Sequence, residues 1–166
     1  VSELTNALKQ EAQNIEEDSI HSAKSHFNAS STWSGRHYWI GIPATVLGAA
    51  GGAAAIKSCP GIAGVLALLA TILTGLLTFL KPAERASTHK TAGDQYLALR
   101  NDARIFHQVE LLSQLDMMAN TDHLKALSQR RNELNQGSPD IPKSAFAAAK
   151  KGIDAGETQY KTEKGA

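Results

Sequence analysis

Acidic side chains are absent from His37 to Pro82, and Lys57 and Lys81 are the only formally charged residues in that stretch. The chain of 166 residues has a single cysteine, 5 prolines and 5% aromatic residues, with a formal net charge of +1. One cysteine, Cys59, excludes an intramolecular disulfide. The lysines and arginines are interleaved with carboxylates and amides, as in "SQRRNEL", so no basic stripe suited to direct nucleic-acid binding forms. No strand pattern occurs, so "GAAGGAAA" has no strand to follow, as a phosphate-binding loop would require. The 6 histidines include no H-E-x-x-H. His21 and His26 also miss the three-or-four spacing that shares a helix face. The sequence offers no catalytic residue, no cofactor site and no metal site.

What is present is apolar length. Mean hydropathy over the whole chain is −0.24, so the apolar residues are concentrated rather than spread. They form two runs, Tyr38–Ile56 and Gly61–Leu80, separated by "KSCP". A hydrocarbon core needs roughly 20 apolar residues in a helix, which each run supplies. As a buried hairpin in a soluble bundle, both would have to be wrapped on every side, and the rest of the chain is too poor in apolar residues to do it. The expectation is a transmembrane hairpin over 36–81, retained because its first run begins too far from Val1 to be a signal peptide. Arg36 precedes it and Lys81, Arg85 and Lys90 follow it, against Lys57 alone in the turn, which predicts cytoplasmic termini. Trp33, Tyr38 and Trp39 are placed for an interfacial belt.

On a helical wheel both spans have one bulky and one small face. Gly41, Ala44, Thr45, Gly48, Gly51, Gly52 and Ala55 form the smooth stripe of the first span, with Gly48 and Gly52 in a G-x-x-x-G step. In the second span Gly64, Ala67, Thr71, Thr74, Gly75 and Thr78 lie together, opposite the leucines. Two readings stay open: the stripes pack against each other within one hairpin, or Thr71, Thr74 and Thr78 face like stripes of other copies around a pore. Pro43 is placed to kink the first span. A hairpin cannot enclose a channel alone, so a pore implies a homo-oligomer in the lipid bilayer.

The flanking segments read as amphipathic helices. Leu4, Leu8, Ala12, Ile15, Ser19, Ala23 and Phe27 recur at helical spacing within an N-terminal helix over 1–35, which Ser34-Gly35 should break before the membrane. From 82 to 166, Leu97, Ile105, Leu112, Leu115, Met118, Leu124, Leu127 and Leu134 give a long pattern with its expected interruption at Asn120-Thr121-Asp122. Asp140 is placed to cap a last helix with Pro142 in its first turn, whose Ala145, Ala149, Gly152, Ile153, Gly156 and Tyr160 make a narrow face. "KTEKGA" should fray. The fold class expected is an all-α membrane protein, a two-helix transmembrane hairpin on a cytoplasmic helical bundle.

From "RHYW" through the hairpin to "FLKPAERASTHKTAGDQYLALRNDAR", the sequence resembles the SLATT domains, two-transmembrane effectors named for association with second-messenger nucleotide synthetases and nucleotide-sensing SLOG domains. The resemblance covers most of the chain: an N-terminal cytoplasmic helix, a Gly/Ala-rich hairpin with a minimal turn, and a segment in which Pro82 is followed by Ala86, His89, Gly93, Tyr96, Arg100 and Arg104. It implies an oligomeric effector that permeabilises the bacterial inner membrane in anti-phage defence. The trigger would be a separately encoded nucleotidyltransferase, reverse transcriptase or nucleotide-sensing partner.

His89, Gly93, Tyr96 and Arg100 descend one face of the helix leaving the membrane, a coupling segment any signal must cross. Gly93 permits close helix approach there, and Arg100 is placed to meet Glu16, Glu17 or Asp18. Ordinary bundle packing is the competing reading of these four. Two other functions compete with the effector, a non-conducting anchor for partner proteins and a transporter subunit. The absence of intramembrane charge speaks against the transporter.

Overall fold

The computed structural model describes residues 2–112 and 116–158, without the side chains of Ser2 and Leu112. Every regular element among them is helical: α1 (Ser2–Ile56), α2 (Pro60–Leu80), α3 (Pro82–Gln108), a 3-10 turn (Glu110–Leu112), α4 (Met117–Gly137) and α5 (Lys143–Asp154). Leu115, Tyr160, the Leu112 side chain and the closing "KTEKGA" lie outside the described residues. Two stretches, Glu3–Ile56 and Pro60–Gln108, are long and apolar enough to cross a membrane.

The chain packs as two units, Ser30–Ser87 and the pair Val1–Ala29 with Thr88–Ala166. In the first, residues 30–56 of α1 and all of α2 form the hairpin. Ser58 takes a left-handed φ of 57°, Ser58 N–H donates to Ala55 O and Cys59 N–H to Ala54 O, and Pro60 then opens α2. This is the paired closure of a Schellman turn, with serine at the position that usually takes glycine. The second junction uses the simpler left-handed cap, with one bond: Lys81, at φ 45°, donates its N–H to Leu77 O, and Pro82 opens α3. Proline fits both starts because a first-turn residue needs no N–H.

In the second unit the core is Leu8, Ala12 and Ile15 of α1, Leu99, Ala103 and Phe106 of α3, Leu111 and Leu127, with Met117, Leu124 and Leu134 packed against it. Within this unit, covered positions of α3 at His89, Gly93, Tyr96, Arg100, Ala103 and His107 alternate in steps of three and four, the seam of helices packed lengthwise. On α5, Ala145, Ala149 and Gly152 are buried, and Asn28 of α1 donates to Ala145 O at 3.3 Å.

Three local expectations are corrected. α1 runs unbroken through Ser34-Gly35. An isolated helix glycine costs only about 1 kcal/mol, and the flanking covered residues outweigh it. α3 ends at Gln108 and α4 begins at Met117, so Asn120-Thr121-Asp122, the expected interruption, sit inside α4. Asp116 is the effective stop, its carboxylate accepting from Met118 N–H at 3.2 Å as the N-cap of α4. Thr121 is tolerated because its hydroxyl donates to Met117 O at 2.9 Å. Asp140 does not cap α5: Pro142 is the N-cap, its carbonyl accepting from Ala145 and Phe146 N–H.

Candidate functional site

Within the hairpin, the more covered face of α1 carries Ile40, Ala44, Leu47, Gly51 and Ala54, and that of α2 carries Ala63, Leu66, Ala70, Leu73 and Leu77. Both step by three and four, as antiparallel helices meeting knob into hole require. Gly51 is the closest approach, since a Cβ there would lie 3.3 Å from Leu66 Cβ and 3.6 Å from Ala63 O. At Gly41 a Cβ would meet Leu77 Cδ1 at 3.7 Å. Leucine knobs of α2 thus enter small positions of α1.

Gly41 meets Leu77 and Gly51 meets Leu66 in the seam, while the two small stripes face each other only across the groove beside it. A leucine set into a glycine gap gains more dispersion contact than two smooth faces laid together, so the leucines take the seam. Thr71, Thr74 and Thr78 remain exposed, as do Gly48 and Gly52. Among the described residues, nothing beyond the neighbouring turns of its own helix lies within 4 Å of a Cβ built on Gly48, Gly52 or Gly75. The threonine hydroxyls bond within their own helix, Thr71 to Ala67 O at 2.8 Å, Thr74 to Ala70 O at 2.8 Å and Thr78 to Thr74 O at 3.0 Å.

The exposed small residues line two openings. Gly48, Gly51, Gly52 and Ala55 of α1 face Ala63, Gly64, Ala67 and Ala70 of α2 across a groove of about 530 Å³ in which no side chain exceeds a methyl group. Gly41 and Thr45 meet Thr74 at a second, of about 600 Å³, bounded by His37, Tyr38, Ile42, Ala44, Val46 and Leu77. The structure therefore brings Gly41 to Thr74, and Gly48 and Gly52 to Gly64, while Thr71, Gly75 and Thr78 line neither opening. No residue of α2 is buried, and Ile62, Val65, Leu68, Ile72 and Phe79 are exposed.

The second unit holds the other candidate residues, and all four meet elements packed on α3. His89, Tyr96 and Arg100 are 4%, 3% and 8% exposed. Gly93 faces Phe27, whose ring carbons would stand 2.7, 2.9 and 3.1 Å from an added Cβ. His89 Nδ1 lies 3.0 Å from His26 Nδ1, a contact that needs one N–H and one lone pair. Tyr96 stacks on His26 at 5.5 Å between ring centroids and donates its hydroxyl to Asn135 Oδ1 at 2.7 Å. Burial, and then the neighbouring His89, lower the pKa of His26 from 6.5 to about 4. Burial raises that of Tyr96, partly opposed by a hydrogen bond with Ser138.

Of the three acidic residues offered to Arg100, Glu16 is the partner, with Oε1 3.6 Å from Arg100 Nε and Oε2 2.7 Å from His107 Nε2. Among the described residues the buried Ser19 Oγ and His107 Nδ1 have no hydrogen-bond partner. Sequence reasoning missed His26 and His107. His107 could have been found seven residues beyond Arg100 on the same three-four spacing, and His26 seven beyond Ser19 on α1.

The arginines of "SQRRNEL" are engaged by carboxylates, Arg130 by Asp102 at 2.5 Å and Arg131 by Asp18 at 3.2 Å and Glu11 at 3.7 Å. Among the described residues no three histidine, cysteine or carboxylate side chains gather as metal ligands would. Comparisons with protein families, with curated protein sequences and with solved structures gave no match to this chain.

Proposed function

We propose that the chain is a two-transmembrane effector of the bacterial inner membrane, with both termini cytoplasmic, whose copies associate through the hairpin and permeabilise the bilayer. The observation that carries this is the small-residue face left uncovered once the hairpin has closed: the Gly48–Gly52 step, the methyl-lined groove and the threonine row. Helices in lipid associate where backbones approach closely, and this face is the one that permits it. The exposed apolar side chains of α2 suit lipid and would be an uncovered patch in water. The resemblance to the SLATT domains supplies the setting, anti-phage defence triggered by a separately encoded nucleotidyltransferase, reverse transcriptase or nucleotide-sensing partner. The carboxylate-bound Arg130 and Arg131 support a protein that does not itself bind nucleic acid.

The test is induced expression in bacteria with a membrane-potential dye, paired with ion leakage from liposomes. Depolarisation that precedes growth arrest is expected. Growth arrest with an intact potential would overturn the pore. One observation favours the second reading, a non-conducting anchor or scaffold. The threonine donors are all satisfied inside α2, so this face is stable against lipid without a pore. That reading predicts correct insertion, partner recruitment and no leakage.

A further inference from the structure

We propose that Trp33, Arg36 and Arg85 form a binding site for the phosphodiester of an anionic phospholipid. The site rests on the membrane reading above and adds the lipid class that the hairpin unit recognises. Arg36 Cζ stands 4.5 Å from the centroid of the Trp33 ring and Arg85 Cζ 4.8 Å from it, so a single indole gathers two cations from α1 and α3. Neither guanidinium forms an ion pair among the described residues. The one carboxylate between Ser30 and Ser87, Glu84, is held by Lys81 at 3.1 Å. Two like charges drawn together without a counter-ion repel each other, and an anion relieves that repulsion.

Stacking on an aromatic face fixes the plane of a guanidinium and leaves its N–H edge free, and that edge matches phosphate in paired hydrogen bonds. Position supplies the source of the phosphate. Arg36 precedes Tyr38 and Trp39, which are 63% and 82% exposed, and Lys81 and Arg85 follow Phe79, which is 87% exposed. The cations therefore border the lipid-suited surface, the level at which headgroup phosphates lie. Arg85 is also in the first turn of α3, where the helix dipole favours an anion.

The test uses the full chain carrying Trp39→Phe, which leaves Trp33 as the only indole of the 2 in the sequence. It is inserted into phosphatidylcholine vesicles containing a minor fraction of phosphatidylglycerol, with bromine on the chains of one lipid or the other. Trp33 fluorescence should be quenched more by brominated phosphatidylglycerol than by brominated phosphatidylcholine at the same mole fraction. The preference should fall about fivefold for each arginine replaced in Arg36→Gln and Arg85→Gln. The double Arg36→Lys, Arg85→Lys variant, which keeps charge and loses the stacked plane, should lose most of it.

Equal quenching by the two lipids in a protein that floats with the vesicles would overturn the site and leave the membrane reading standing. Failure to float with either vesicle would overturn both. Full preference in the double lysine variant would reduce the cluster to undirected charge and overturn the site. Loss of the preference on adding excess inorganic phosphate at constant ionic strength would make free phosphate the ligand and overturn the lipid assignment.

Discussion

Gly93→Ala sets two opposed effects against each other, and the structure fixes which wins. Alanine is favoured over glycine inside a helix by about 0.8–1.0 kcal/mol, so in open space the change stabilises. Here the new Cβ would lie 2.7, 2.9 and 3.1 Å from three carbons of the Phe27 ring, all inside ordinary van der Waals contact. Relieving the contact means displacing the ring or the helix that carries it, and overpacking of this kind costs about 1–3 kcal/mol. The net expectation is a destabilisation of about 0.5–2 kcal/mol, or a midpoint lower by a few degrees at about 2–4 °C per kcal/mol for a chain of this length.

Thermal unfolding of the full chain in mild detergent, followed by far-ultraviolet circular dichroism, measures it. Phe27→Leu removes the clashing ring carbons, so Gly93→Ala in that background should become neutral or stabilising. The double-mutant cycle isolates the contact. A single Gly93→Ala protein that melts at or above the parent, with no coupling to Phe27→Leu, would refute the close packing of α1 on α3.

His26 gives a pH dependence of definite sign. Its folded pKa of about 4 lies below the ordinary 6.5, so its contribution is complete above pH 6.5 and is lost as pH falls toward 4, where the unfolded chain binds the proton and the fold resists it. The shift corresponds to on the order of 3 kcal/mol before relaxation and water entry reduce it, and stability between pH 6.5 and 5 should fall less steeply in His26→Gln than in the parent. Glu16→Gln removes the carboxylate that holds Arg100 and His107 in a buried setting and should cost about 3–5 kcal/mol by denaturant titration, more than the paired Glu16→Leu, Arg100→Met change. Gly51→Leu should open the hairpin itself, because Leu66 occupies that space. Gly48→Leu and Gly52→Leu should leave the hairpin intact and reduce crosslinked oligomers more than Ala53→Leu, and equal oligomer yields for all three would remove the association face. Replacing Thr71, Thr74 and Thr78 together by valine should abolish ion leakage at matched membrane levels and unchanged oligomer size if the row lines a water path, and normal leakage would sink that assignment.

The two hydrophobic runs were legible because charge is absent over most of their length, and the same absence made the short turn at "KSCP" visible. Gly93 and Arg100 were legible as well, since three-four spacing on one helix already implies a facing helix. What escaped was relational. A helical wheel sorts Thr71, Thr74 and Thr78 from the leucines but does not say which face turns toward α1. That depends on Leu66 finding the gap at Gly51, a match between residues on different helices. His26 escaped for the same reason: on α1 it is one polar residue in an amphipathic pattern, and its character comes from His89, brought to 3.0 Å by packing. Ser34-Gly35 misled because local propensity was weighed without the packing on either side.

The direction of the threonine hydroxyls constrains the competing functions more than their mere presence does. Each donates its hydrogen to a carbonyl of α2 itself, at 2.8 to 3.0 Å, so what the row turns outward is oxygen lone pairs with no donor. Against lipid, such a surface leaves no unsatisfied donor, and a monomeric anchor needs nothing more. Around a water path, a ring of acceptors from several copies would order water and favour cations, and it would offer an anion no hydrogen bond. The pore reading therefore carries a selectivity that the anchor reading lacks. While the hydroxyls keep these bonds, a conductance through this face is expected to prefer cations, and an anion-selective conductance would count against the row as its lining.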